Sequence, residues 1–342
     1  MNSNDEQNAT GEPMVTNNNA IDSIEDILIA NNIQYIILQL FQLISIPCYL
    51  FLFYHIWKRS TIRKAIDMHV FILILLLSFI TLIGDISVFL HYLRINSVWP
   101  CNHSLCLYWM WIDNLCYTLG MWLMTWASIE RHILIFHRNL LNTFKKRLIV
   151  HYIPLTLCIV YCCIYSSYLI FGYPCENVFD CASVLCGSAC AYNDFNLAQY
   201  DTITNSIVTT ILIVLCSISL LFRVLWRKYR SHQRLRWSKI RKMTIQLLSI
   251  SCLYMITTIP INSEYLIGFV SMESVGYTYL SNMMYLLYCF LPFVCLTTLP
   301  ELRQKVQICH FHRRHRAVAP LFLLHKTPKM IHTRLPLNKN NN

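Results

Sequence analysis

Seven apolar runs, each long enough to cross a lipid bilayer, constrain this chain more than any other feature. They fall at about Ile33–Trp57, His69–Leu93, Leu107–Leu134, Leu148–Phe171, Tyr200–Phe222, Met243–Val270 and Tyr277–Leu299. A crossing helix needs about 20 apolar residues. In hydrocarbon the backbone must satisfy its own polar groups, so runs of this length imply helices. The composition agrees: 56% of the 342 residues are hydrophobic and 13% are charged, with too little Gly and Pro for a collagenous or disordered chain. The expected fold is an all-α membrane protein, a seven-transmembrane helix bundle over residues 33–311. A polar tail (1–32) precedes it and a basic tail (312–342) follows.

The basic residues orient the runs. Lys58, Arg59, Arg63 and Lys64 follow the first run, and five more lie between Arg131 and Arg147. Nine fall between Arg223 and Lys242 and nine between Arg303 and Lys339, so 27 of the 28 Lys and Arg occupy alternate connections. The positive-inside rule makes those connections cytoplasmic and the N-terminus extracellular, as in a multi-pass plasma-membrane protein. The net charge of +11 then reflects orientation and attraction to anionic lipid. Nucleic acid is not an expected partner, because no soluble domain carries the charge.

The third run holds the chemistry. Asp113 lies near its outer end and Glu130-Arg131-His132 at its inner end. Asp113 and Arg131 are separated by about five helical turns, roughly 27 Å of rise, so they share one face. Charges in lipid normally face a bundle interior or a wet cavity, which makes this helix the expected central pillar. A second acid, Asp85, sits in the second run. It is expected to pair with a neighbouring helix, with an ion or ligand contact as the alternative.

The outer connections concentrate cysteine: Cys101 and Cys106 before the third run, and Cys175, Cys181, Cys186 and Cys190 between the fourth and fifth. Six cysteines in an oxidising compartment allow up to three bridges. Asn8 and Asn102 begin glycosylation sequons on the same side. No basic segment precedes an apolar core at the N-terminus, so the first run is expected to serve as an uncleaved anchor. After the seventh run, Leu302, Val306 and Cys309 share one face of an amphipathic stretch, with Cys309 a candidate palmitoylation site. No spacing suggests a metal centre, a cofactor or an enzyme nucleophile. A transporter or channel is the alternative class, although seven runs make no even repeat.

Taken together, these features resemble the rhodopsin-like G-protein-coupled receptors. Trp99 and Cys106 precede Arg131, with Cys106 25 positions before it, as the family's loop Trp and bridging Cys precede the Arg of Asp/Glu-Arg-Tyr. Tyr254 to Pro260 stands for Phe-x-x-Cys-Trp-x-Pro, Leu291-Pro292-Phe293-Val294-Cys295 for Asn-Pro-x-x-Tyr, and Pro300-Glu301-Leu302-Arg303 opens an eighth helix. The chain departs from the pattern at Thr258 (for Trp), at Leu291 and Cys295 (for Asn and Tyr) and at Gly120 (for Ser). The family's second-span acid falls near Ser78 or Phe79, so Asp85 is not that residue and a sodium site is not expected. These departures mark a divergent, lineage-expanded member.

The resemblance implies a ligand bound among spans three, five, six and seven, and a heterotrimeric G protein inside. Asp113 stands where amine receptors place their counter-ion, and Tyr285, seven residues before Pro292, where they place its hydrogen-bonding partner. Tyr117, Ile261, Asn262 and Tyr265 would line the same pocket. A cationic amine or basic peptide terminus is one reading; an Asp113–Tyr285 pair that merely ties spans three and seven is the other. The resemblance implies that Cys106 bridges to Cys190 or Cys186. It also implies that Arg131 leaves Glu130 as span six pivots near Pro260, with Pro292 below. Ile135 and Phe136 would then contact the G protein. With Ile240 where an acid could stand at the base of span six, Glu130 is the expected resting partner of Arg131.

Overall fold

A computed structural model of the chain describes residues 15–60, 66–136, 143–230, 234–271 and 277–298. Described side chains are fewer, so Tyr265, Asn8 and Cys309 lie outside the described residues, as does the whole unit from Leu299 to Asn342.

Within the unit ending at Thr298, the described residues form helices and connections, with no strand. In chain order these are α1 (Val15–Lys58), α2 (Ile66–Ile95), α3 (His103–Phe136), α4 (Phe144–Gly172), α5 (Phe195–Trp226, continuing to Arg230), α6 (Arg234–Ser271) and α7 (Tyr277–Thr298). Short 3-10 turns at Val184–Cys186 and Cys190–Asn193 interrupt the connection from α4 to α5. Helix α1 begins well before the first apolar run and draws part of the polar tail into its first turns.

Five helices are long and apolar enough to cross a membrane among the described residues: Leu28–Lys58, Met68–Ile95, Phe144–Gly172, Phe195–Trp226 and Thr244–Ser263. Helix α3 is not among the five, although it is 34 residues long. Asp113, Asn114 and its Trp, Tyr and Thr residues lower its hydropathy. It packs against α2, α4, α5 and α6, so those helices, rather than lipid, cover most of its polar groups. Around it, α1 packs on α2 and α7, α5 on α6, and α6 on α7. Leu75, Leu82, Ile86, Met121 and Leu123 are fully enclosed.

Hydrogen bonds tie the helices where lipid would leave polar groups bare. Ser45 donates to the Cys289 carbonyl (2.8 Å) and Tyr49 to the Tyr288 carbonyl (2.8 Å), joining α1 to α7. Gln42 donates to the Leu82 carbonyl on α2 (2.8 Å). Pro47, Pro260 and Pro292 lie inside helices, where each removes an N–H. Below Pro260, Thr257 and Thr258 both donate to the Tyr254 carbonyl (3.0 and 2.8 Å). Helix α4 contains π turns at Leu148–Tyr152 and Tyr168–Gly172, and α5 one at Thr202–Val208. Such turns insert a residue and re-aim the side chains that follow.

Candidate functional site

Helix α3 carries polar chemistry at both ends, and each end is organised by a different set of neighbours. Three bridges fix its first turn and the α4–α5 connection: Cys101–Cys181, Cys106–Cys186 and Cys175–Cys190. Of the two partners considered for Cys106, Cys186 occupies the place, and Cys190 closes a shorter loop with Cys175. The backbone joins in, with Val98 N–H donating to the Cys181 carbonyl (2.8 Å). Leu185, Cys186 and Gly187 take positive φ angles of 57°, 55° and 98°. That turn costs the two non-glycine residues some strain and presents Cys186 to Cys106. Asn102 is exposed, and its side-chain oxygen accepts from Leu105 N–H (2.7 Å) at the start of α3. Its amide nitrogen is the atom a glycan would occupy.

The connection ends in a pair that sets the start of α5. Tyr173 donates to Asp194 (2.6 Å), whose other oxygen accepts from Asn196 N–H (3.0 Å). The Tyr173 bond, then the backbone N–H, holds the Asp194 carboxyl below the usual carboxylate range. The same bond pushes the Tyr173 phenol up. Deeper in, burial and then the Asp201 charge push the Tyr192 phenol well above its ordinary value.

Two turns into α3 lie the acids. Trp109, fully buried, donates its indole N–H to Asp85 of α2 (2.8 Å), which is itself 1% exposed. Asp113 is half-buried, and its carboxyl lies near both the Asp85 carboxyl and the Tyr285 hydroxyl. Tyr285 stacks on Phe89 with ring centres 4.5 Å apart, which fixes its hydroxyl. The structure therefore brings Asp113 and Tyr285 together and adds Asp85 and Trp109 to them. Asp85 pairs with a neighbouring helix and at the same time touches the candidate ligand acid.

A second cluster joins α3, α5 and α6. Tyr117 donates to Ser206 (2.6 Å), Ser206 donates to the Asn262 side-chain oxygen, and Asn262 donates to Thr210 (2.9 Å). Tyr117 and Asn262 thus meet through Ser206, while Ile261 is buried beside them. A third chain of bonds runs from Ser166 through Asn114 and Tyr192 to Asp201 and Asn205, ending on Trp122 and Tyr161. Ser206 and Asn205 both lie on the π turn of α5.

At the other end of α3, Glu130 and Arg131 are buried, 4% and 6% exposed. Nδ1 of His151 on α4 lies 2.6 Å from Oε1 of Glu130, so Glu130 has a partner besides any bond to Arg131. Nε2 of the same ring meets Nδ1 of His69 on α2 at 3.2 Å. His132 donates to the Cys216 carbonyl of α5 (2.8 Å), and Arg223 of α5 sits over the Phe136 ring, 5.4 Å from its centre. Ile135 is half-buried beside them. Glu130 and Arg131 line a cleft with Phe71 and Ile74 of α2 and Gln246 and Ile250 of α6. Pro260 and Pro292 lie inside α6 and α7 and are not among the residues lining this cleft.

Sequence reasoning named Trp109 only as an aromatic candidate for the pocket, and it missed Ser206, Thr210, His69 and His151. Ser and Thr in an apolar run bond their own helix by default, and a lone His offers no spacing that names its partner. Among the described residues, no group of three or more His, Cys, Asp or Glu is placed to hold a metal ion. No protein-family model matches this chain, and no curated protein is similar to it.

Proposed function

We propose that the protein is a multi-pass receptor of the plasma membrane that passes the binding of an extracellular ligand to a cytoplasmic heterotrimeric G protein. The observation that carries the reading is the organisation of α3. Its first turn is bridged from Cys106 to the α4–α5 connection, its outer half presents Asp113, and its other end presents Glu130-Arg131 at a cleft shared with α6.

The ligand in this reading is a cation, a small amine or the terminus of a basic peptide. Asp113 is half-buried beside a second carboxyl, an arrangement that a cation stabilises. Tyr117, Ser206 and Asn262 supply polar contacts on the facing helices, with Ile261 as apolar wall and Tyr285 orienting the acid. Binding there would favour an arrangement in which α6 pivots near Pro260 and widens the cleft at Arg131. Ile135, Phe136 and His132 border the surface that a partner's helix would meet.

The test is G-protein activation in cells expressing wild type, Asp113→Asn or Arg131→Ala, challenged with amines and basic peptides. The reading expects a response that Asp113→Asn weakens at least tenfold in potency and that Arg131→Ala abolishes at equal surface expression. A full response from Arg131→Ala would defeat the coupling role. A cation flux that follows the ligand gradient in proteoliposomes would favour the transporter reading, to which the Asp85–Asp113 contact is also suited.

A further inference from the structure

We propose that the hollow between α3, α4 and α5 that receives the Tyr192 side chain is a phenol-binding site. The α4–α5 connection occupies it with a residue of the chain itself, and a free phenol takes it by displacing that residue. The inference rests on the contacts of Tyr192 and stands whether or not the protein is a receptor.

The Tyr192 hydroxyl is held from two sides. Nδ2 of Asn114 on α3 donates to it across 2.8 Å, and it donates in turn to Oδ2 of Asp201 on α5 across 3.1 Å. Each partner is itself fixed. Ser166 of α4 donates to Oδ1 of Asn114 (2.8 Å), which turns the amide nitrogen towards the phenol. Asn205 donates to Oδ1 of Asp201 (2.8 Å), which leaves Oδ2 for the phenol. The pair therefore selects a group that accepts and donates at one oxygen. An ammonium has no lone pair for Asn114, a carboxylate has no proton for Asp201, and an ether accepts without donating. The ring behind the hydroxyl packs on a buried apolar cluster that includes Met110, Tyr165, Leu169 and Ile170. A hydroxyl carried on an aromatic ring suits both parts of the hollow.

The backbone around Tyr192 is anchored without the phenol. Cys190 is bridged to Cys175, Ala191 is fully buried, and Asp194 caps α5 by accepting from Asn196 N–H. Tyr192 is half-buried, so the hollow is not sealed over it. The phenol leaves by rotation of its own side chain while the 3-10 turn Cys190–Asn193 stays in place. A tethered group competes at its effective concentration, so a free phenol displaces Tyr192 once its own concentration passes that value.

The experiment uses the full chain in lipid nanodiscs. The probe is p-cresol, the tyrosine side chain as a free molecule, and 4-methylanisole is the matching ether that does not donate. Tyr192→Ala vacates the hollow. p-Cresol should raise the thermal midpoint of Tyr192→Ala saturably, and 4-methylanisole should bind at least about tenfold more weakly, because it leaves Asp201 without its donor. No shift with p-cresol, or equal and unsaturable shifts with both compounds, would overturn the site. Displacement is read on the otherwise unaltered chain with 3-fluorotyrosine in place of Tyr192, which needs no truncated variant to fold. Its fluorine resonance should move to a solvent-like position as p-cresol is added and stay in place with 4-methylanisole. A resonance unmoved at about 10 mM p-cresol, above the effective concentration of a short flexible tether, would make Tyr192 a permanent post and overturn the proposal.

Discussion

Trp109 of α3 donates its indole N–H to Asp85 of α2 across 2.8 Å, and neither side chain is more than 1% exposed. The bond gives a buried acid its donor. Trp109→Phe keeps the ring and removes that donor, which should lower stability by about 1–3 kcal/mol. Asp85→Asn keeps the acceptor and should lower it less. Melting of both variants in detergent checks the order, and a Trp109→Phe protein as stable as wild type would show the bond to be dispensable.

The cluster through Ser206 should behave as one unit. Tyr117, Ser206 and Asn262 form a relay across three helices, so breaking it at either end disturbs the same bonds. In a double-mutant cycle, Tyr117→Phe and Asn262→Ala should show a coupling of about 0.5–3 kcal/mol. Additive losses in thermal unfolding would mean that Ser206 does not transmit one change to the other.

In the α4–α5 connection, Tyr173 and Asp194 make a pH-dependent contribution whose sign is fixed. The Tyr173 hydrogen bond lowers the folded-state pKa of Asp194, so its stabilisation is present above the usual carboxylate range. It is lost as pH falls below about 3.9 and on through the lowered folded value. Tyr173→Phe should therefore melt below wild type at pH 7 and converge with it in acid. Curves that stay parallel to pH 2 would remove Asp194 as the cause.

The bridges offer a further check. Cys101–Cys181 and Cys106–Cys186 each join residues 80 apart, and they restrain the same two segments. With either one intact, loss of the other should be tolerated in part; loss of both should exceed the sum. A single bridge of this kind stabilises by roughly 2–5 kcal/mol. The thermal stability of Cys101→Ser, Cys106→Ser and the double variant in detergent measures this, and strictly additive losses would contradict it.

What the sequence made legible was whatever lipid dictates. Apolar length marked the helices, and the cost of a buried charge singled out α3 with Asp113 at one end and Glu130-Arg131 at the other. The partners were not legible, because they depend on how helices rotate about their axes. Asp85 could be read as needing a neighbour, but nothing in its spacing named Trp109. His151 lies in a run that otherwise reads as lipid-facing, and the π turn at its position alters which face it shares. Ser206 was hidden similarly, since the π turn of Thr202–Val208 shifts the register that a regular helix would give. Cysteine was intermediate: the six residues before α3 and between α4 and α5 announced bridges, while the choice of Cys186 for Cys106 depended on a left-handed turn at Leu185 and Cys186.

The two bridges with equal separations have a mechanical consequence. One covalent bond between two segments acts as a pin about which they can swivel. Two bonds, five residues apart on each segment, fasten them as a plate. The start of α3 and the stretch from Cys181 to Cys186 must then tilt as a single piece. Any tilt of that piece reaches Asp113 about two turns below Cys106 through a rigid lever, with no slack for the connection to absorb.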